Sequence, residues 1–248
     1  MSPLVNTHVE PWQVRIAGIG CVDISADGTT VVHESADESA TRILAEHVAA
    51  PLASWRRGSW LVNGALMRTP AGAVILVNST LESWYPALVE MLNRGWTCLA
   101  DRLVEVTVHD SHVRAESQST GATIPRWLVE TWQLEMAHPA RPGSDVVELH
   151  PPVLGGDHSV SALAVLESRF ELEPELGFAR AQSIRNLLAM PELRSSTQLA
   201  EILTALGALP FQRFPSTFQP KLGDERDIGR RSQDTVKLLE TWVSEVLR

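Results

Sequence analysis

Hydrophobic positions change period along the chain, and each change marks an element. Gln13 to Ile24 (QVRIAGIGCVDI) is apolar and rich in β-branched residues, which predicts a strand. Asp27-Gly28 is a turn signal, and Thr29 to His33 (TTVVH) predicts the second strand of a hairpin. Apolar residues then move to helical spacing. Ile43, Leu44 and Val48 share one face of a helix over Glu38 to Val48, which Pro51 should end or kink. Strand patterns return at Trp60 to Met67 (WLVNGALM) and at Ala73 to Val77 (AVILV), with a turn at Thr69-Pro-Ala-Gly72 between them. The second run is apolar on both faces, as in a central strand covered on both sides.

A helix is predicted from Ser83 to Asn93, capped by Ser83, with Pro86 tolerated in its first turn and Gly95 stopping it. Tyr85, Leu88, Val89 and Leu92 make its buried stripe. Thr97 to Leu99 and Leu103 to Val108 read as strands, and His112 to Glu116 pairs back as a hairpin. Ser117 to Asp157 is turn-rich, with strand-like pieces at Trp127 to Trp132 and Val146 to Leu149. Val160 to Leu166 (VSALAVL) is a further strand. The C-terminal third is helical. Phe178 to Met190 is one helix, broken by Pro191. Ser195 and Gln198 form a capping box ahead of Leu199, Ile202, Leu203 and Leu206, with Gly207 as C-cap. Leu209 to Gly223 (LPFQRFPSTFQPKLG) reads as a Pro/Phe-rich loop. Ser232 to Leu247 is a final amphipathic helix with Val236, Leu239, Val243 and Leu247 inward. No internal repeat is present. The order predicts an α/β fold: a small N-terminal β/α region over 1–58 and a mixed-sheet core with a helical C-terminal part over 59–248.

Composition narrows the function classes. The 248 residues carry a net charge of −9, which argues against an extended nucleic-acid face. The basic clusters Arg56-Arg57 and Arg226, Arg230, Arg231 with Lys221 are short and read as solvated surface charge. No apolar run approaches the roughly 20 residues a membrane helix needs, and the N-terminus lacks the basic start and apolar stretch of a signal peptide. Cys21 and Cys98 sit in apolar segments far apart and read as small buried hydrophobes in a reducing compartment. A cytoplasmic location is the resulting expectation. Eight tryptophans stand against one tyrosine, a ratio that fits either a core or a peptide-binding groove.

Candidate chemistry is sparse. His109 and His112 flank a short turn. Asp157-His158 after Gly155-Gly156 has the residue types of an acid/base pair, yet also reads as a polar turn. Glu135, His138 and His150 lack ligand spacing, and there is no Gly-x-Ser-x-Gly elbow. No metal and no cofactor is predicted.

Leu52 to Val106 (LASWRRGSWLVNGALMRTPAGAVILVNSTLESWYPALVEMLNRGWTCLADRLVEV) resembles the HPr kinase/phosphorylase family, including its relatives that phosphorylate serines of precursor peptides. That family shares its core with phosphoenolpyruvate carboxykinase, so the resemblance implies a core of mixed sheet with flanking helices. Its pattern runs from a strand bearing His-Gly or His-Ala to a strand ending in a Gly-rich phosphate loop. A helix, Arg-Gly, and a strand ending in Ala-Asp-Asp or Ser-Asp-Asp follow. Here Leu61-Val-Asn-Gly-Ala65 lies at the histidine strand and Ala73 to Val77 at the phosphate-loop strand. Asn93-Arg-Gly-Trp96 lies at the corner and Cys98-Leu-Ala-Asp-Arg102 at the acidic strand end.

The chemistry is nearly erased on that frame. Asn63 stands at the family's histidine. Asn78, Ser79, Thr80, Ser83, Trp84 and Tyr85 fall within the phosphate-loop region, with Trp84 at the lysine and Tyr85 at the magnesium-binding hydroxyl. Of the acidic pair only Asp101, a weak catalytic candidate, remains, with Arg102 beside it. Independently of any family, a phosphate cradle needs successive backbone N–H groups turned inward, and hence glycine. None occurs from Ala73 through Arg94. Glu82 adds negative charge where a helix N-terminus would otherwise welcome an anion. Trp84 and Tyr85 either plug the nucleotide cavity or stack on a partner. The resemblance therefore implies a non-catalytic relative that binds a peptide or protein partner, in a bacterial peptide-modification pathway or a regulatory complex. Candidate partner contacts are Phe211, Phe214, Phe218, Arg230 and Arg231, although those aromatics also suit a loop pinned to its own core. Two alternatives stand beside it: a divergent phosphotransferase with Asp101 as base, and a structural subunit of an oligomer.

Overall fold

The computed structural model describes residues 4–6, 10–37, 40–41, 44–78, 81–100, 103–116, 123–131, 146–148, 156–167, 185, 188–189, 195–215 and 228–247. The first four strands, β1 (Leu4–Asn6), β2 (Trp12–Ile16), β3 (Gly20–Ile24) and β4 (Thr30–His33), form an antiparallel sheet in sequence order. The single strand expected over Gln13 to Ile24 is thus two. The chain turns at Ala17–Ile19, where Gly18 has φ 75° and the Ile19 N–H donates to Ile16 O at 3.1 Å. The next turn follows the Asp-Gly signal. Thr29 N–H donates to Asp27 Oδ1 at 2.9 Å, and Gly28 takes φ 83°. Hydrogen bonds from the Thr29 backbone and side chain hold the Asp27 carboxyl below the usual carboxylate range.

Alternation puts Val14, Ile16, Val22 and Ile24 on one face of this sheet. A π-helical stretch, Leu44–Ala49, and α1 (Ala50–Arg56) pack on that face through Leu44, Val48, Leu52 and Ala53. The helix does not end at Pro51. That residue falls in the first turn of α1, where a missing N–H costs no helical bond, and the helix changes register there and continues. Arg56 and Arg57 are not solvated surface charge. Arg56 lies 4.4 Å over the Trp12 ring and pairs with Glu10 at 2.7 Å. Arg57 forks onto the buried Glu105 at 3.0 and 2.7 Å, and the Ser59 hydroxyl donates to the same carboxylate.

Eight strands form the second sheet: β5 (Trp60–Asn63), β6 (Ala65–Thr69), β7 (Gly72–Asn78), β8 (Thr97–Ala100), β9 (Leu103–His109), β10 (His112–Glu116), β13 (Asp157–Glu167) and β14 (Phe211–Pro215). Their order is β5-β9-β10-β13-β7-β6-β8, with β14 also on β13. Trp60 to Met67, expected as one strand, breaks at Gly64 into β5 and β6, which lie towards opposite ends of this order. β8 and β9 do the same across residues 101–102. Two such short links require the sheet to curl until its halves face each other. Trp60, Val62, Val104 and Val113 of one half accordingly share a core with Leu66, Ile75, Leu99 and Leu163 of the other. Ile202 and Leu206 of α4 (Ser196–Ala208) join it.

The opposite face of β6, β7, β8 and β13 presents Met67, Val74, Cys98 and Ala164 to α2 (Leu81–Asn93) and α5 (Ile228–Val246). Arg94 ties the two helices together, donating to Glu90 and to Glu240 at 2.6 Å each, and these bonds push its pKa up. Where β7 meets β13 the register slips at Ser161. A Cβ on Gly72 would stand 2.7 Å from the Ser161 hydroxyl, so glycine is needed for that approach.

Other expectations change. Residues Arg126–Thr131 form a short helix, α3, where strand was expected at Trp127 to Trp132. It follows β11 (Thr123–Pro125), which pairs with β12 (Val146–Glu148). A short apolar run does not separate the two structures by period. The capping box at Ser195 and Gln198 is present, but α4 ends at a Leu209 cap with Gly207 inside it. Part of the Pro/Phe-rich loop is β14. The helix over Phe178 to Met190 lies almost wholly outside the described residues, and at Leu188 the chain instead makes an antiparallel bridge to Val62. Cys21 and Cys98 are both buried and form no disulfide with each other, as expected. No helix among the described residues is long and apolar enough to cross a membrane.

Candidate functional site

Strands β7, β13 and β14 run parallel, with Leu166 beside Asn78 and Glu167 beside Pro215, so their carboxyl ends finish level. In open α/β sheets this is the end at which ligands are taken. Three further pieces of chain reach it. Ala65 pairs with Leu76, which brings Asn63 and the Gly64 corner to the same end. Ala100 pairs with Leu66, and Leu103 with Asn63, which brings the end of β8 and the start of β9 there too. The Thr235 hydroxyl donates to Pro215 O at 3.0 Å, which carries the N-terminal part of α5 to this end.

The fold therefore brings the ends of β5 at Asn63, of β7 at Asn78 and of β8 at Ala100 to one end of the sheet. Asn63 is exposed at the end of β5, and Asn78 is the last residue of β7. Ser79, Thr80, Asp101 and Arg102 lie outside the described residues, as do the side chains of Asn78, Ser83 and Trp84. Helix α2 begins at Leu81, so Ser83 is not its cap, and Pro86 is inside the helix rather than in its first turn. Only residues 79 and 80 separate β7 from α2. Tyr85 is 5% exposed and sits in the core with Leu88, Met91 and Trp242.

The proposed partner contacts separate. Phe214 is 2% exposed and packs edge-on against Trp242, with centroids 5.5 Å apart. Phe211 packs on the other core. These two aromatics pin β14 to the protein's own interior. Phe218 lies outside the described residues. Arg230 is exposed at the start of α5, and Arg231 is half-buried.

The remaining candidates disperse. His109 and His112 are exposed on either side of a tight turn, where Asp110 and Ser111 take φ 49° and 65°. Asp157 and His158 are successive strand residues pointing to opposite faces, and Asp157 pairs with Arg114 at 2.6 Å. No cluster with metal-ligand geometry occurs among the described residues. One group that sequence reasoning did not single out does assemble: Asp23 and His33, joined at 3.2 Å beside Cys21. The available signal was the strand alternation, which puts all three on one face once the hairpin register is known.

No family model and no curated protein matches the sequence. Among solved structures the chain is similar to the Hpr(Ser) kinase/phosphatase from Coxiella burnetii, at 8% identity and a TM-score of 0.34. The match covers 74% of this chain and 98% of that one, a distant relation of fold alone.

Proposed function

We propose that the chain is a non-catalytic counterpart of the HPr-type serine kinases and works by binding a peptide or protein partner. The supporting observation is the β7–α2 corner. A phosphate loop wraps a nucleotide with several consecutive N–H groups contributed between strand and helix. Here two residues span that interval, and neither is glycine. The loop lysine is absent, which removes a charge-assisted contact of about 1.5–3 kcal/mol. Tyr85, at the place of the magnesium-binding hydroxyl, is in the core. A frame kept without its phosphate chemistry suits a recognition role, and the resemblance supplies the class of partner.

Calorimetric titration with Mg–ATP, Mg–ADP and pyrophosphate tests this reading. No heat of binding is expected at millimolar ligand, and no phosphate transfer to seryl peptides. Micromolar binding of any of the three would overturn it and favour a phosphotransferase.

A further inference from the structure

The chain holds a single Asn-Gly pair, Asn63-Gly64, and the fold sets it in the link between β5 and β6. β5 ends at Asn63 and β6 begins at Ala65, so Gly64 belongs to neither strand. Asn63 is exposed, while Trp60, Leu61 and Val62 before it are buried. Its side-chain amide makes no hydrogen bond among the described residues, and neither does the Gly64 N–H. An amide that nothing holds is thus followed along the chain by a backbone nitrogen that nothing holds. Glycine adds two local advantages. It has no Cβ to crowd its own nitrogen, and its backbone turns through conformations closed to other residues. Asn93 is the opposite case. It is followed by Arg94, whose N–H donates to Glu90 O and Met91 O at 3.1 Å each at the end of α2.

We propose that Asn63 is a self-modification site, converted through a cyclic imide to aspartate and isoaspartate. The Gly64 nitrogen attacks Asn63 Cγ. The N–Cγ bond forms, the Cγ–Nδ2 bond breaks, and the side-chain nitrogen leaves as ammonia with the Gly64 proton. Solvent water then opens the imide. Attack at Cγ leaves an aspartate with the main chain unchanged. Attack at the main-chain carbonyl leaves isoaspartate, whose main chain runs through Cβ and Cγ and is longer by one carbon. Water is the only co-reactant. Both products put a carboxylate at the end of the sheet where β7, β13 and β14 finish. Isoaspartate also lengthens the link that joins the two halves of the sheet.

The full chain is incubated folded, at mildly alkaline pH, in water enriched in heavy oxygen, and a second sample is incubated in urea. Both are digested at acidic pH, where the imide forms slowly, and tandem mass spectrometry assigns each position. In the folded sample, the peptide bearing Asn63 should lose the amide and take up heavy oxygen. It should also split into two chromatographic species, aspartate and isoaspartate. The peptide bearing Asn93 should keep its amide. The rate should rise with pH, since the attacking nitrogen must give up its proton. Asn63→Gln, whose longer side chain closes the ring poorly, should abolish the uptake in that peptide. Asn63 is exposed, so this variant keeps the apolar core. An Asn63 amide that survives in the folded chain as well as that of Asn93 would overturn the proposal, and its loss in urea alone would show that the fold protects the link. A single product without isoaspartate would also overturn it, because water would then act directly on the side chain. Undiminished uptake in the Asn63→Gln protein would do the same.

Discussion

Strands β6 and β4 each carry adjacent apolar residues, and these meet opposite fates. On β6, Leu66 and Met67 are both fully buried, one in the core between the sheet halves and the other beneath α2 and α5. On β4, Val32 packs on the helical layer while Val31 is 47% exposed. The strand chemistry is similar; the layers differ. β6 lies in the part of its sheet, with β7, β8 and β13, that is covered on both faces, where interior side chains must be apolar or paired. β4 belongs to a sheet with one covered face, where the outer positions are open to polar and reactive groups. That outer face is where Arg15, Cys21, Asp23 and His33 collect. The doubly covered strands carry exposed polar groups towards their ends, as at Arg68 of β6, and the candidate site lies at such an end.

The largest test of this contrast is a set of truncations, two on β6 and one on β4. Leu66→Ala and Met67→Ala should each cost about 2–5 kcal/mol in chemical denaturation, because both open cavities. Val31→Ala should fall within about 0.5 kcal/mol of the native protein. Equal losses at Val31 and Met67 would mean that the outer face of the N-terminal sheet is covered too. Next in size is the buried ion pair that joins α1 to β9. Arg57→Met removes the cation facing the buried Glu105 carboxylate and should cost about 3 kcal/mol, the low end for a broken buried pair because Arg57 is itself partly exposed and the Ser59 hydroxyl still donates to the carboxylate. Arg57→Met with Glu105→Leu should recover most of that loss. Failure to recover would show that the network acts through more than charge compensation.

The smallest effect is at the Asp27 turn. Its folded carboxyl lies below the ordinary value, chiefly through the Thr29 N–H. A depressed folded pKa adds stability that is complete above the unfolded carboxylate range and is lost as pH falls through the folded value. An NMR titration of Asp27 should therefore find a midpoint below that of an unfolded aspartate. A midpoint at or above the ordinary value would remove this turn from the account of the hairpin.

Legibility in the sequence follows the range of the interaction. The α4 capping box was readable because Ser195 and Gln198 are three residues apart. The β3–β4 and β9–β10 hairpins were readable from their turns. The inward stripe of α5 was readable because Val236, Leu239 and Val243 repeat at helical spacing. The corners at Ala17–Ile19 and Gly64 were not, since a bend inside an apolar run leaves its β-branched composition unchanged. β14 was hidden by the prolines around it, which are tolerated because Pro210 precedes the strand and Pro215 stands at its end. Arg56 and Arg57 passed for surface charge because their partners Glu10 and Glu105 are remote in sequence.

The same division holds for function. The sequence by itself determined that residues 73–94 contain no glycine and no lysine, since these are matters of residue type. It also determined the identity and buried face of the longer helices, through local periodicity. Only the tertiary structure decided which strands became neighbours, that two residues span the strand-to-helix interval, and that Asn63, Asn78 and the corner after Ala100 share one end of the sheet. It alone placed a thiol between arginine and histidine. Cross-strand contacts depend on register, and a slip of one residue would send each side chain to the other face.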